Sequence, residues 1–222
     1  MSWERKIEDL EHILIEILKS KILPKDSYLA GGTALYFYLR RRVSVDIDFF
    51  SPKPFRPESL VFKARESFDQ VDVEIMEKDS LILFLSQDKI KFSLFHLPYP
   101  LLSDLHFHEI KTHIKCPMAS LEDIEAMKAV ALAQRGSAKD FVDLYHLLGR
   151  TRHTFNEMFS GVQRKYQVDE KYSYHLKTAM AYFFDAEQEI DAIVIVDKTD
   201  KIRKITDEQW EEIKAFFVRF CQ

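Results

Sequence analysis

The feature that most constrains this chain is the acidic doublet Asp46-Ile47-Asp48, set inside the mostly apolar run from Val43 to Phe50. That run reads as a β-strand, broken afterwards by Ser51-Pro52-Lys53-Pro54. Side chains alternate along a strand, so Asp46 and Asp48 project to one face together with Ser44, and with Arg42 if the strand begins early enough. Ile47 and Phe49 then point the other way, into a core. Two carboxylates on one face repel each other, and a hard divalent cation relieves the repulsion. Mg²⁺, or Mn²⁺ in its place, commonly takes one or two protein carboxylates and completes its shell with water and substrate phosphate. A pair of such ions can clamp the attacking and leaving oxygens of a phosphoryl transfer.

Thirteen residues before the doublet stands Gly31-Gly32-Thr33. It lies between a short strand, Ser27 to Ala30, and a helix expected over Thr33 to Arg41. Glycines there let the backbone approach a phosphate, and the helix N-terminus offers free N–H groups and a positive partial charge. The Thr33 hydroxyl is a further donor. One element can thus hold an anionic tail while the other holds a metal. Either piece alone is ambiguous: Asp-x-Asp also serves metal-dependent glycosyltransferases, and Gly-Gly before a helix is a common turn.

The rest of the chain divides near residue 117. Before it, Ile7, Leu10, Leu14, Ile17 and Leu18 recur at helical spacing over 3–21, and a second helix is expected over 57–68. Strands are expected at Val71-Val73-Ile75, Leu81 to Leu85 and Ile90-Phe92-Leu94, with one more near 109–115. Beyond it the pattern is helical. Ser120-x-x-Asp123, Ser137-x-x-Asp140 and Thr206-x-x-Gln209 read as capping boxes, and further helices are expected near 154–166 and 172–183. The expected fold class is α+β: a mixed sheet flanked by helices over 1–117, then a helical domain over 118–222 packed on it.

A formal net charge of -4 leaves no global basic field for nucleic acid. Arg40-Arg41-Arg42 is either a local anion-binding patch or a solvated helix end that complements the dipole. Two cysteines without metal-ligand spacing, no signal pattern and no apolar run of membrane-spanning length point to a cytoplasmic protein without a membrane partner. The 18 phenylalanines mostly follow apolar periodicity, which assigns them to a core rather than to base stacking.

Taken in order, Gly31-Gly32-Thr33-Ala34-Leu35 and Arg42-x-Ser44-x-Asp46-Ile47-Asp48-Phe49-Phe50 resemble the AbiEii toxin family within the polymerase-β-like nucleotidyltransferases. Ser120-Leu121-Glu122-Asp123-Ile124-x-Ala126-Met127-Lys128 and Gln134-Arg135-Gly136-Ser137-x-Lys139-Asp140-Phe141-x-Asp143-Leu144 resemble it too. The resemblance covers about residues 28–150 and implies a nucleotidyltransferase-like core. It implies transfer of a nucleoside monophosphate from an NTP to a hydroxyl, with tRNA or another RNA as acceptor. It also implies a toxin of a toxin–antitoxin or abortive-infection phage-defence pair, with a cognate antitoxin.

By the same resemblance Asp46 and Asp48 bind the metal, while Gly31, Gly32, Thr33, Arg42 and Ser44 line the nucleotide. Lys128 is a triphosphate ligand, joined by Arg135 seven residues on along the same helix face. Asp140 either caps its helix or orients Lys128 or a substrate hydroxyl. Lys139 and Asp143 either serve the nucleotide or pair with each other four apart. One slot departs from the family pattern. Lys91-Phe92-Ser93-Leu94 carries Ser93 where relatives place a third acid, so a catalytically inactive nucleotide- or protein-binding module is the alternative. Asp72 and Glu74 are the candidates to replace that acid. A sugar-nucleotide transferase is a weaker alternative, against which the Gly-Gly element argues.

Overall fold

The structure, a computed structural model, describes residues 2–222. The chain forms two compact units, and it passes between them more than once. The first takes the chain up to Ala34, then Ser44–Pro100 and Leu105–Ala119; the second takes Leu35–Val43, Leu101–Asp104 and Ser120–Gln222. Two segments that the sequence pattern places in the first part, Leu35–Val43 and Leu101–Asp104, therefore belong to the second.

The first unit is a seven-stranded mixed sheet. Its strands are β1 (Tyr28–Ala30), β2 (Ile47–Ser51), β3 (Val71–Glu77), β4 (Ser80–Leu85), β5 (Ile90–His96), β6 (His106–Lys111) and β7 (Ile114–Met118), in the order β3-β4-β5-β2-β1-β7-β6. Pairs β2–β5 and β1–β7 run parallel; the others are antiparallel. Helix α1 (Trp3–Ser20) is N-capped by the Ser2 side chain and buries Leu10, Leu14 and Ile17, the stripe its periodicity announces. Helix α2 (Gly31–Leu39) follows β1 without an intervening loop, and α3 (Pro57–Ser67) opens on a proline at its first turn. On β2, Ile47 and Phe49 are fully buried, in register with Phe92 and Leu94 of β5. Each such side chain withdrawn from water contributes about 1.5–3 kcal/mol. On the opposite face Tyr28 of β1 stacks on Phe50 of β2, and Phe95 of β5 packs against Phe50 at a tilt.

Helices α4 (Leu121–Arg135), α5 (Ala138–Thr151), α6 (Phe155–Tyr166), α7 (Tyr172–Met180), α8 (Phe184–Glu187) and α9 (Asp207–Phe220) build the second unit, with a hairpin of β8 (Val194–Val196) and β9 (Ile202–Lys204). Its core centres on Phe141, whose ring lies 5.1 Å from Phe183, 5.8 Å from Trp210 and 5.2 Å from Phe217. The aromatic residues here are core, as their spacing indicates.

Several expectations change. The strand expected from Val43 begins only at Ile47, because residues 41–43 pair with β8 instead: the Val43 amide donates to the Val194 carbonyl and the Val196 amide to the Arg41 carbonyl. The single strand expected near 109–115 is a hairpin turning between Lys111 and Ile114. The helix expected over 172–183 stops at Met180. The Ser137-x-x-Asp140 capping box does not form. Ser137 donates its hydroxyl to Glu189 at 2.5 Å, and that carboxylate also accepts the Ala138 amide at 3.0 Å. Glu189 does the capping from fifty-one residues away, which frees Asp140. The box at Thr206 and Gln209 is complete, and a second complete one joins Thr154 to Glu157.

Candidate functional site

In the first unit the register places the glycines beside the acids. Ala30 lies opposite Asp48 in the β1–β2 pair, so Gly31, next in the chain, comes against the Asp48 side chain. Gly31 has φ +70, and a Cβ there would stand 3.1 Å from Asp48 Oδ2. Glycine is needed on both counts, the left-handed backbone and the close approach. Gly32 is buried in the first turn of α2.

Thr33 is fully buried, and its hydroxyl donates to the main-chain carbonyl of Asp46. That side chain, expected on a phosphate, instead fixes the backbone at the first acid. Asp46 and Asp48 are both half-buried, but only Asp48 lies within the strand. Regular strand geometry starts after Arg42, Ser44 and Asp46, so strand alternation does not by itself set the faces of those three. Ser44 is itself buried, at 9 % exposure.

Ser93 is the strand partner of Asp48 across the parallel β2–β5 pair and is 1 % exposed. The position where the family resemblance leads one to expect a third acid is thus beside Asp48, and it holds a buried hydroxyl. Asp72 and Glu74 cannot stand in. They lie on edge strand β3, three strand spacings from β2, a distance of about 14 Å. Among the described residues no group of three or more His, Cys, Asp or Glu side chains could hold a metal ion. Asp48, closely approached by the side-chain-free Gly31, and Asp46, whose backbone Thr33 fixes, are acids of the kind that suit one Mg²⁺ completing its shell with water and phosphate.

The second unit gathers five of the expected residues into one chain of charges. Asp143 takes Arg42 in a bidentate pair, Nε to Oδ1 at 2.7 Å and a terminal nitrogen to Oδ2 at 2.9 Å. Lys128 Nζ bridges Asp143 Oδ2 at 2.7 Å and Asp140 Oδ1 at 2.9 Å. Asp140 in turn takes Arg135 through two bonds of 2.6 and 2.9 Å. Helical spacing explains the match: Lys128 and Arg135 recur two turns apart on α4, and Asp140 and Asp143 sit one turn apart on α5.

Burial pushes both carboxyls upward in pKa. For Asp140 the charge of Lys128 and the bonds from Arg135 outweigh it, and for Asp143 the charges of Arg42 and Lys128 do; both are held below the usual range. The cluster carries one positive charge more than negative. Arg135, with 52 % of its side chain exposed, presents charge to solvent, whereas Lys128 is 7 % exposed. Two of the three Lys128 donors are taken, leaving one for a ligand. Lys139 is half-buried and enters none of these pairs, so Asp143 is held by Arg42 and Lys128 rather than by its helical neighbour.

The three consecutive arginines have three fates. Arg40 is exposed and bonds the Tyr36 hydroxyl at 3.3 Å, Arg41 lines a groove, and Arg42 joins the ion cluster. A second buried pair joins Lys165 and Asp123, both 0 % exposed, at 2.7 Å. Asp123 also accepts the Leu102 amide at 2.9 Å and the Ser120 hydroxyl at 2.7 Å. The Ser120-x-x-Asp123 motif signalled the acid, but nothing in the sequence signalled its cation forty-two residues on.

Sheet order, the glycine turn at Asp48 and the helical unit together define a nucleotidyltransferase fold. JHP933 from Helicobacter pylori shares it with TM-score 0.61 and 17 % identity, covering 100 % of this chain and 93 % of that one. MenT4, the nucleotidyltransferase toxin Rv2826c of Mycobacterium tuberculosis H37Rv, does so with TM-score 0.59 and 14 % identity, covering 100 % and 85 %. An uncharacterized protein of Aquifex aeolicus (strain VF5), aq_aa25, is 35 % identical over 217 residues, 97 % of this chain and 96 % of its own length. Residues 13–220 match the family described as nucleotidyl transferase AbiEii toxin, type IV toxin–antitoxin system. The chain belongs to that family of nucleotidyltransferase toxins. No helix among the described residues is long and apolar enough to cross a membrane.

Proposed function

We propose that this protein transfers a nucleoside monophosphate from an NTP to a hydroxyl acceptor on tRNA or another RNA, using Mg²⁺ or Mn²⁺ held by Asp46 and Asp48. The acceptor oxygen bonds to the α-phosphorus as the hydroxyl loses its proton, and pyrophosphate leaves. The observation that carries the reading is the approach of Gly31 to Asp48, which sets a bare helix N-terminus beside a metal-binding carboxylate. The bound cation would neutralise phosphate charge. Thr33 holds the Asp46 backbone, and Gly31 lets the start of α2 approach the Asp48 carboxylate. In this reading Lys128 and Arg135 are triphosphate ligands, and Asp140 and Asp143 are the residues that position them.

The family supports the cellular role: a cytoplasmic toxin countered by a cognate antitoxin, acting in a toxin–antitoxin or abortive-infection phage-defence system. The decisive experiment incubates the protein with each labelled NTP, Mg²⁺ and total tRNA, then repeats it with Asp46→Ala and Asp48→Ala. Label transfer that vanishes in both variants supports the reading; transfer that survives both removes Asp46 and Asp48 from the site. Ser93, buried beside Asp48, favours a second reading, a nucleotide- or protein-binding module without turnover. NTP binding with no transfer under any metal or acceptor would establish that reading instead.

A further inference from the structure

The second unit carries an open groove of about 900 Å³, walled by the end of α2, by α5, by the β8–β9 hairpin and by α9. Neither Asp46 nor Asp48 lines it. Its charge is lopsided. Arg41, Arg150, Lys198 and Arg203 face two acids, Asp197 and Glu212. Both acids are occupied internally. Asp197 accepts from the Thr199 amide and hydroxyl and the Lys201 amide and holds Arg203 at 3.2 Å; Glu212 accepts the Tyr145 hydroxyl at 2.8 Å. Arg41, Arg150 and Lys198 remain exposed on three different elements, in a protein whose overall charge is -4. His146, also in the wall, is pushed down to about 4 by burial first and then by the Arg41 charge, so it stays neutral at pH 7. Tyr38, Tyr145 and Phe216 stand half-buried along the same surface.

Cations on separate elements alternating with half-exposed rings are the ingredients of a track for a single-stranded polyanion: charge follows the phosphates and flat rings take bases without regard to sequence. A free nucleotide would call for convergent donors in an enclosed pocket. The geometry points to this groove as the seat of a single-stranded RNA segment, with phosphates on Arg41, Arg150 and Lys198 and bases against Tyr38, Tyr145 and Phe216. The inference rests on the RNA-acceptor reading above and gives that acceptor a docking surface distinct from the acids.

The test is a titration of the full chain with a short fluorescein-labelled single-stranded RNA, without NTP or divalent metal, at several salt concentrations. The variants are Arg150→Glu with Lys198→Glu, and a control carrying the same charge change elsewhere, Lys63→Glu with Lys78→Glu. Thermal melting checks that each is folded. The groove variant is expected to bind at least about 10-fold more weakly, with a salt slope shallower by about 1.4, the value for two lost phosphate contacts on a single strand. The control is expected to stay within about twofold of the parent protein. Equal weakening in both variants, no binding by the parent at low salt, or displacement of the RNA by equimolar NTP would each overturn the assignment. Asp46 and Asp48 are intact throughout, so a failure here is distinct from a failure of the transfer assay.

Discussion

Replacing Gly31 with alanine, and Gly136 with alanine as its partner experiment, separates a backbone cost from a site cost. Both glycines have left-handed backbones, φ +70 and +58. An L-residue in that conformation costs about 1–2 kcal/mol. With a urea slope of about 2 kcal/mol/M, each variant should therefore unfold about 0.5–1 M earlier than the parent. The surroundings differ. A Cβ at Gly136 meets nothing within 4 Å, whereas one at Gly31 meets Asp48 Oδ2 at 3.1 Å, tight enough to displace that carboxylate by a few tenths of an ångström. A misplacement of about 1 Å near reacting groups costs about 100-fold, so the smaller shift, added to the lost phosphate approach, should cost about 10-fold or more in initial rate. The assay is NTP-dependent pyrophosphate release alongside urea unfolding of both variants. Similar unfolding midpoints with at least a tenfold rate difference are expected. Equal activity loss in the two, or full activity in Gly31→Ala, would refute the placement of the site at Gly31 and Asp48.

Ser93→Asp puts a third carboxylate beside Asp48; it should lower the melting temperature in EDTA, as crowded like charges do, and recover it with Mg²⁺ or Mn²⁺ far more than the parent does. A metal-independent melting temperature would count against a cation at this face. Lys165→Met leaves Asp123 buried and short of its cation, a loss of about 3–5 kcal/mol in urea unfolding, while adding Asp123→Asn should restore much of it; a double variant no better than the single would show the pair is not coupled. His146 has a folded pKa of about 4 against 6.5 unfolded, so its contribution is full above pH 6.5 and is lost as pH falls towards 4, by up to about 3 kcal/mol. His146→Gln should flatten the dependence of the urea midpoint across that window, and an unchanged profile would contradict it. Asp143→Asn should remove part of the further decline below pH 4, because the parent's lowered carboxyl stabilises the fold above the unfolded value near 3.9 and is lost as pH falls below it.

The elements with strong periodicity were legible before any coordinates. Leu10, Leu14 and Ile17 announced α1, and Ile47 with Phe49 announced the buried face of β2. The Thr206–Gln209 capping box marked the start of α9. What was not legible depends on partners far along the chain. Nothing near Val43 reveals that Val194 and Val196 will compete for its segment and keep Asp46 out of the strand. Nothing near Ser137 reveals that Glu189 will cap α5 and release Asp140 to Lys128. The candidate residues were each visible as motif positions, but their pairing was not. Local spacing suggested Lys139 with Asp143, whereas the fold pairs Asp143 with Arg42, a hundred and one residues away. The sequence singled out Ser93 as a position to watch, and the register adds that it lies directly beside Asp48.

The discontinuous make-up of the second unit sets a timetable for the protein's own synthesis. Arg42 leaves the ribosome a hundred and one residues ahead of Asp143, about 5–20 s earlier at ordinary elongation rates. Glu189, which closes the first turn of α5, trails Ala138 by fifty-one residues, about another 3–10 s. During that interval Arg40-Arg41-Arg42 is a bare basic stretch on a nascent chain, its carboxylate and its hairpin partners unmade. The charge relay from Arg42 to Arg135 therefore cannot close before Asp143 has been made. A chain built this way keeps the cations and carboxylates of its relay apart until α5 has followed α4 out of the ribosome.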